Sequence, residues 1–299
     1  MLSLFCFGLG YSAQQFIADR GAPYGRIAGT VREANKAAEI ARAGIAGRPI
    51  DAVAFDGKTA PDLSERLDQS DVLLVSVPPD PDGDPVLRHY GAALARAQRL
   101  RGIVYLSTIG VYGDHGGGWV DETTEPSPTS DRSRERLAAE RAWAALAVRS
   151  GKALATLRLS GIYGPGRNAL IQVARGTAKR IVKPGQVFNR IHVADIAQTI
   201  AASFARNADS VFNVTDDEPT PPGEPIAFAA DLLGVAPPPE IPFADAARTM
   251  SAMALSFYGE SKRVRNDRLK RDLALEALLY PTYREGLRAL FAASDHTRT

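Results

Sequence analysis

The opening of the chain constrains its fold more than any other stretch. Leu2, Leu4, Phe5, Cys6 and Phe7 make an apolar run that reads as a strand buried on both faces, as in the centre of a parallel sheet. It passes directly into Gly8-Leu9-Gly10-Tyr11-Ser12-Ala13, a G-x-G-x-x-A sequence ahead of a helix expected over 12–20. Gly8 suits a tight turn out of the strand, Gly10 lets backbone approach a pyrophosphate, and Ala13 lets the helix pack close. The helix would aim its free N–H groups and the positive end of its dipole at the phosphates. Residues Gly8 to Ser12 are therefore candidates for dinucleotide binding.

Strand and helix patterns then alternate. Strands are expected at 25–31, 50–55 (ending in Asp56), 71–77, 102–107 and 153–159, with helices at 33–43, 84–100 and from 131 to about 149. Pro78-Pro79 stops the fourth strand, and Ser130 or Asp131 caps the long helix. A loop rich in Gly, Pro and Ser covers 108–129. This alternation predicts an α/β fold, a Rossmann-type doubly wound parallel sheet with right-handed crossovers. Beyond Ser160 the pattern loosens into a turn at 164–168, an extended stretch at 186–193 and a helix at 194–206. A strand at 210–214 that would extend the sheet, a small strand at 263–266 and a last helix at 282–293 follow. The expected division is a dinucleotide-binding domain at 1–164, with 186–217 returning to it. Residues 165–185 and 218–299 mostly form a smaller substrate lobe over the strand ends.

Composition narrows the function. The 299 residues carry 36 basic and 34 acidic side chains, a net charge of +2, so no polyanion partner is implied, and no nucleic-acid module is matched. The basic cluster at 262–271 reads either as a solvated strand and helix face or as a contact for a phosphorylated substrate. Cys6 is the single cysteine, which rules out a disulfide within the chain and suits a cytoplasmic, reducing setting. The apolar start is short and breaks at Gly8, and no run of about 18 apolar residues exists, so neither signal peptide nor membrane span is expected. His89, His115, His192 and His296 share no ligand spacing with each other or with Cys6, so no metal is expected. No G-x-S-x-G nucleophile elbow occurs.

A site for NAD usually has an acidic residue at the end of the second strand, on the ribose hydroxyls. Here the strand ends Gly29-Thr30-Val31-Arg32, and Arg32 stands where a guanidinium could grip a 2′-phosphate. The expected cofactor is NADP, with NAD possible. Asp56 is a candidate acceptor for the adenine amino group, or else a turn residue. Val77, Pro78 and Pro79 would line the cofactor groove.

Four stretches together resemble the extended short-chain dehydrogenase/reductase superfamily, the NAD-dependent epimerase/dehydratase group. They are GLGYSA at the start, Ser107-Thr108-Ile109-Gly110-Val111-Tyr112-Gly113, Gly161-Ile162-Tyr163-Gly164-Pro165-Gly166-Arg167-Asn168, and Arg190-Ile191-His192-Val193-Ala194-Asp195-Ile196-Ala197. The group pairs a Tyr-x-x-x-Lys with a Glu four residues on. Glu140 matches that Glu, which puts Arg132 at the Tyr position and Arg136 at the Lys position. Arginine stays protonated and cannot act as the base. The combination resembles an atypical branch of the superfamily, as do the stretches at 261–270 and 280–287.

The resemblance implies a Thr108 hydroxyl on the reacting oxygen and Ser160 and Tyr163 near the nicotinamide. Tyr112 is the nearest substitute proton donor, against an ordinary packing role, and His115 is a further candidate from the glycine-rich loop. Arg136 would bind the nicotinamide ribose or a phosphate, and Arg132 an anionic substrate group. Asn168, Arg190 and Arg265 are candidate substrate contacts, while His192 and Asp195 are expected to fix the junction between lobes. The expected function is an oxidoreductase or epimerase-like activity on a small polar or nucleotide-linked substrate, with a homodimer possible. The rival is an NADP-binding redox sensor or scaffold without turnover.

Overall fold

The computed structural model describes residues 1–58 and 61–295, so His296 lies outside the described residues. In chain order the elements begin with β1 (Leu2–Phe7), α1 (Tyr11–Arg20), β2 (Tyr24–Val31), α2 (Ala34–Ala43), β3 (Asp51–Ala54), α3 (Ser64–Asp68), β4 (Val72–Val75) and α4 (Pro85–Arg96). They continue with β5 (Gly102–Thr108), a 3₁₀ turn at Ile109–Tyr112, β6 (Trp119–Val120), α5 (Asp131–Ser150), β7 (Ala153–Leu159), β8 (Gly161–Tyr163) and α6 (Ala169–Ala174). Next come β9 (Arg180–Val182), β10 (Arg190–His192), α7 (Val193–Ala205), β11 (Ser210–Val214), α8 (Glu224–Leu232) and β12 (Glu240–Pro242). The chain ends with α9 (Phe243–Ala246), a 3₁₀ turn at Ala247–Thr249, α10 (Ala252–Tyr258), β13 (Arg263–Val264), α11 (Asp267–Asp272) and α12 (Tyr283–Asp295).

Seven strands form one sheet in the order β11-β7-β5-β4-β1-β2-β3, and every pairing is parallel. Alternation along β1 sends its side chains to two cores. Leu4 and Cys6 meet Phe16 and Ile17 of α1, Ile40 of α2 and Ile196 and Ile200 of α7. Phe5 and Phe7 meet Leu67 of α3, Tyr90 and Leu94 of α4 and Trp143 and Leu146 of α5. All four β1 side chains are fully buried. The result is a three-layer doubly wound domain, as the alternation of patterns predicts.

Local chemistry sets the element ends. Asp84 caps α4, its Oδ1 accepting from Val86 N and Leu87 N, with Pro85 opening the helix. Of the two candidate caps for α5, Ser130 is the one used, accepting from Ser133 N. Three small parallel pairs, β10 with β8, β12 with β9 and β13 with β6, lie outside the main sheet. The smaller lobe has its own cores, one around Leu170, Ala229, Tyr283 and Leu287, another around Ile181, Ala246 and Tyr258.

One expected boundary shifts. Leu269, Leu273 and Leu278 are buried in the main core beside α1 and α7, so this part of the C-terminal segment packs on the dinucleotide domain. The reason is apolar spacing within the basic cluster, which leaves Leu269 facing inward while Lys270 pairs with Asp217 outside. The cluster is not a plain solvated face either. Lys262 is buried, its Nζ donating to Gly113 O at 2.6 Å and to Glu260 Oε2 at 2.7 Å, and Arg263 donates to Gly117 O. It works as a strap on the long 108–129 loop, where β6 and β13 pair.

Candidate active site

The strand order reverses direction at β1, with β2 on one side and β4 on the other, and α1 and α4 leave for opposite faces. That opens a crevice at the carboxyl ends of β1 and β4, where open α/β sheets bind ligands. Gly8 forms its floor. Its N–H donates to Thr30 Oγ1 at 3.0 Å, Leu9 N donates to Thr30 O at 2.7 Å, and Ser76 Oγ donates to Gly8 O at 2.7 Å. The turn is thus tied to the ends of both flanking strands. Gly8 has φ +95°, and a Cβ there would lie 2.5 Å from Ser76 Oγ. Glycine is required on both counts.

Helix α1 begins with no side-chain cap. The N–H groups of Gly10, Tyr11, Ser12 and Ala13 have no hydrogen-bond partner among the described residues, the first helical bond being Gln14 N to Gly10 O at 2.9 Å. A Cβ on Gly10 would meet nothing within 4 Å, so the space in front is open. Ser12 is 8% exposed, and its hydroxyl also has no partner among the described residues. Free donors, open space at Gly10 and a hydroxyl without a partner on Ser12 fit a diphosphate. Pro78 is exposed while Val77 and Pro79 are half-buried, on the segment that leaves β4 beside this turn. Arg32 is exposed after β2, with no hydrogen bond or ion pair among the described residues. Asp56 Oδ1 accepts from Lys58 N at 2.8 Å, as a turn residue does.

Several expected side chains prove to be committed to the fold. Tyr112 is fully buried: its hydroxyl donates to Asn213 Oδ1 at 2.8 Å and its ring lies under the Arg158 guanidinium. Burial pushes its phenol pKa upward, with Arg158 opposing. Its surroundings match the packing role weighed against its candidacy as proton donor. Arg136 turns onto β5, its Nη1 donating to Tyr105 Oη and to Leu106 O, each at 3.0 Å. That nitrogen ties α5 to the sheet. Asn168 caps α6, accepting from Ile171 N and donating to Gly164 O. Arg190 donates to Phe188 O at 3.1 Å and Thr220 Oγ1 at 2.7 Å, and burial lowers its pKa. Both are structural anchors here rather than free substrate contacts. Ser160 is 7% exposed with its hydroxyl on Val214 O, and Tyr163 is buried with its hydroxyl on Thr282 O, so both serve strand-end packing. His115 is held to Tyr112 O at 3.1 Å.

Other candidates stay accessible. Arg132 is exposed on the first turn of α5 without a partner among the described residues. Thr108 is half-buried, and its Oγ1 accepts from Gly110 N at 3.1 Å, which leaves its proton to donate. Arg265 is exposed over the Trp119 ring. Glu140, which sequence reasoning matched without assigning a task, is buried and paired with Arg158 at 2.8 Å while Ser107 donates to it. His192 and Asp195 both act at the start of α7. His192 Nδ1 accepts from Ala194 N at the start of α7, and Asp195 accepts from Leu279 N at 2.6 Å and Tyr280 N at 3.2 Å. No cluster of metal-ligand residues is present among the described residues, and no described helix is long and apolar enough to cross a membrane.

Comparison with known proteins follows this geometry. The chain is 46% identical to a functionally unknown conserved protein from Silicibacter pomeroyi, whose solved structure it matches over 98% of this chain and 99% of that one, with TM-score 0.85. It is 30% identical over 141 residues to the 3-diazoavenalumate denitrifying reductase of a Streptomyces species, 44% of this chain and 45% of that protein, so the match spans about half of that curated relative. At the level of fold alone it matches MoeE5, solved with UDP-glucose and NAD, with 19% identity, TM-score 0.74, and coverage of 99% and 100%. The sequence model of the NAD dependent epimerase/dehydratase family matches residues 91–215. The chain is thus similar to the NAD dependent epimerase/dehydratase family over residues 91–215 and is related over its whole length to the Silicibacter pomeroyi protein.

Proposed function

We propose that the protein is an NAD(P)-dependent oxidoreductase of epimerase-like build, preferring NADP, that acts on a small polar or nucleotide-linked substrate carrying an anionic group. The observation that carries this reading is the uncapped start of α1 behind Gly8, with four N–H groups that have no partner among the described residues and open space at Gly10. A bound nicotinamide would supply hydride transfer. Gly10 to Ala13 would hold its diphosphate, and Arg32 would pair with a 2′-phosphate. Arg132 would hold the anionic group of the substrate, and Thr108 would donate to the oxygen at the reacting carbon. Residues 165–185 and 218–262 would close over the substrate. Arg132 and Arg136 stand at the positions of the usual Tyr and Lys, and neither can accept a proton. The proton therefore comes from water. The reductase among the relatives supports testing reduction before epimerisation.

The commitment of Arg136 and Tyr112 to the fold favours a second reading, an NADP-binding sensor or scaffold without turnover. Fluorescence titration decides the cofactor. NADPH should bind about tenfold or more tightly than NADH, and Arg32→Ala should erase the difference. Equal affinities in the intact protein overturn the preference. NADPH deuterated at the transferring position, incubated with carbonyl compounds and sugar nucleotides, decides turnover. Label in product supports the oxidoreductase; tight binding with no transfer supports the sensor.

A further inference from the structure

The start of α1 is met from across the crevice by the turn that follows β8. Tyr11, the first residue of α1, donates its hydroxyl to Pro165 O at 2.9 Å. A Cβ on Gly164 would lie 2.6 Å from that hydroxyl oxygen, so the bare glycine is what lets the turn close onto Tyr11. The turn is rigid: Gly164 and Arg167 exchange both backbone hydrogen bonds, at 2.9 and 3.0 Å, and Asn168 Nδ2 holds Gly164 O at 2.9 Å. Arg167 is exposed, and its guanidinium has no hydrogen bond or ion pair among the described residues. Burial raises the Tyr11 phenol pKa, and the Arg167 charge opposes that rise, which puts the guanidinium within electrostatic reach of the α1 start. The same α1 start carries the four N–H groups without a partner and Ser12, a residue 8% exposed whose hydroxyl has no partner among the described residues.

We propose that Arg167 is a diphosphate clamp, closing its planar fork over a diphosphate held by the N–H groups of residues 10–13, with Tyr11 as the positioning residue that sets the turn. This rests on the dinucleotide-binding reading above. Dinucleotides and nucleotide sugars both contain a diphosphate. The position of Arg167 beside α1 assigns it to the dinucleotide.

The test is isothermal titration of the full chain and its Arg167→Ala, Arg167→Lys and Tyr11→Phe variants with NADH, ADP-ribose, AMP and UDP-glucose at two salt concentrations. Arg167→Ala should weaken NADH and ADP-ribose about tenfold and flatten their salt dependence, while AMP affinity and thermal stability stay as in the parent. Arg167→Lys should recover part of the loss. In the Tyr11→Phe background the Arg167→Ala loss should shrink, because the turn is no longer set. Unchanged NADH and ADP-ribose affinity in Arg167→Ala overturns the clamp, and so does a loss confined to UDP-glucose. Failure of the parent protein to bind NADH or ADP-ribose here, and NADPH in the fluorescence titration above, overturns the underlying reading, and that result precedes any variant.

Discussion

Gly8 and Gly10 are two residues apart, but different physics fixes each. Gly8 sits at φ +95°, a conformation L residues rarely adopt, with Ser76 Oγ 2.5 Å from where a Cβ would be. Gly8→Ala should destabilise the fold by about 1–3 kcal/mol, measured by urea denaturation, and displace the ligand turn as well. Gly10 has φ −85° and open space around its would-be Cβ. Gly10→Ala should leave stability within about 0.5 kcal/mol and still weaken dinucleotide binding, read by titration, because the methyl fills the cradle rather than the core. Equal stability losses in the two variants would count against the cradle. At this scale the motif was legible, since a strand running into G-x-G-x-x-A has few other uses. The fate of Tyr112 was not. Its partners Arg158 and Asn213 come from β7 and β11, and only the sheet brings them to it.

Helix α7 is held at its start by two titratable groups whose environments pull in opposite directions. Burial holds His192 down to about 4. Burial raises Asp195 to about 6, against the backbone N–H groups of Leu279 and Tyr280. For His192 the folded pKa lies below the unfolded value near 6.5, so its contribution to stability is present above that value and lost as pH falls toward 4. For Asp195 the folded pKa lies above 3.8, so its contribution is present below that value and lost as pH rises toward 6. The two slopes, each on the order of 3 kcal/mol across its window, largely cancel between about pH 4 and 6. Asp195→Asn should expose a stability that rises with pH there, and His192→Gln one that falls. Chemical denaturation at pH 4, 5 and 6 checks both signs; a flat profile in both variants would show that neither group is perturbed. From the sequence, the start of a helix at His192-Val193-Ala194-Asp195 already suggested a junction. The partner backbone, Leu279-Tyr280, lies 84 and 85 residues away and carries no local signal.

As a whole, the molecule is less divisible than its pattern of elements suggests. The C-terminal segment leaves the smaller lobe, straps the 108–129 loop through Lys262 and Arg263, and then buries Leu269, Leu273 and Leu278 in the main core. Burying three leucines contributes roughly 5–9 kcal/mol, comparable to the net stability of a domain. A chain truncated after Glu260 should therefore lose cooperative folding rather than release a free dinucleotide domain, and the full chain should melt in a single calorimetric transition. Two resolved transitions, or a folded truncation, would restore the simpler division.

The amino-acid sequence on its own determined the parallel sheet and the glycine turn that leads from β1 into α1, because strand burial, glycine turns and helix spacing are written within a few residues of each other. Tertiary structure alone decided which polar side chains remain available for chemistry. Tyr112, Arg136 and Arg190 have the right residue types for a site, yet each satisfies a partner from a distant part of the chain, while Asn168 is taken up by its own turn and helix start. A buried polar group must be satisfied wherever it lies, and where it lies is set by the packing of the whole chain.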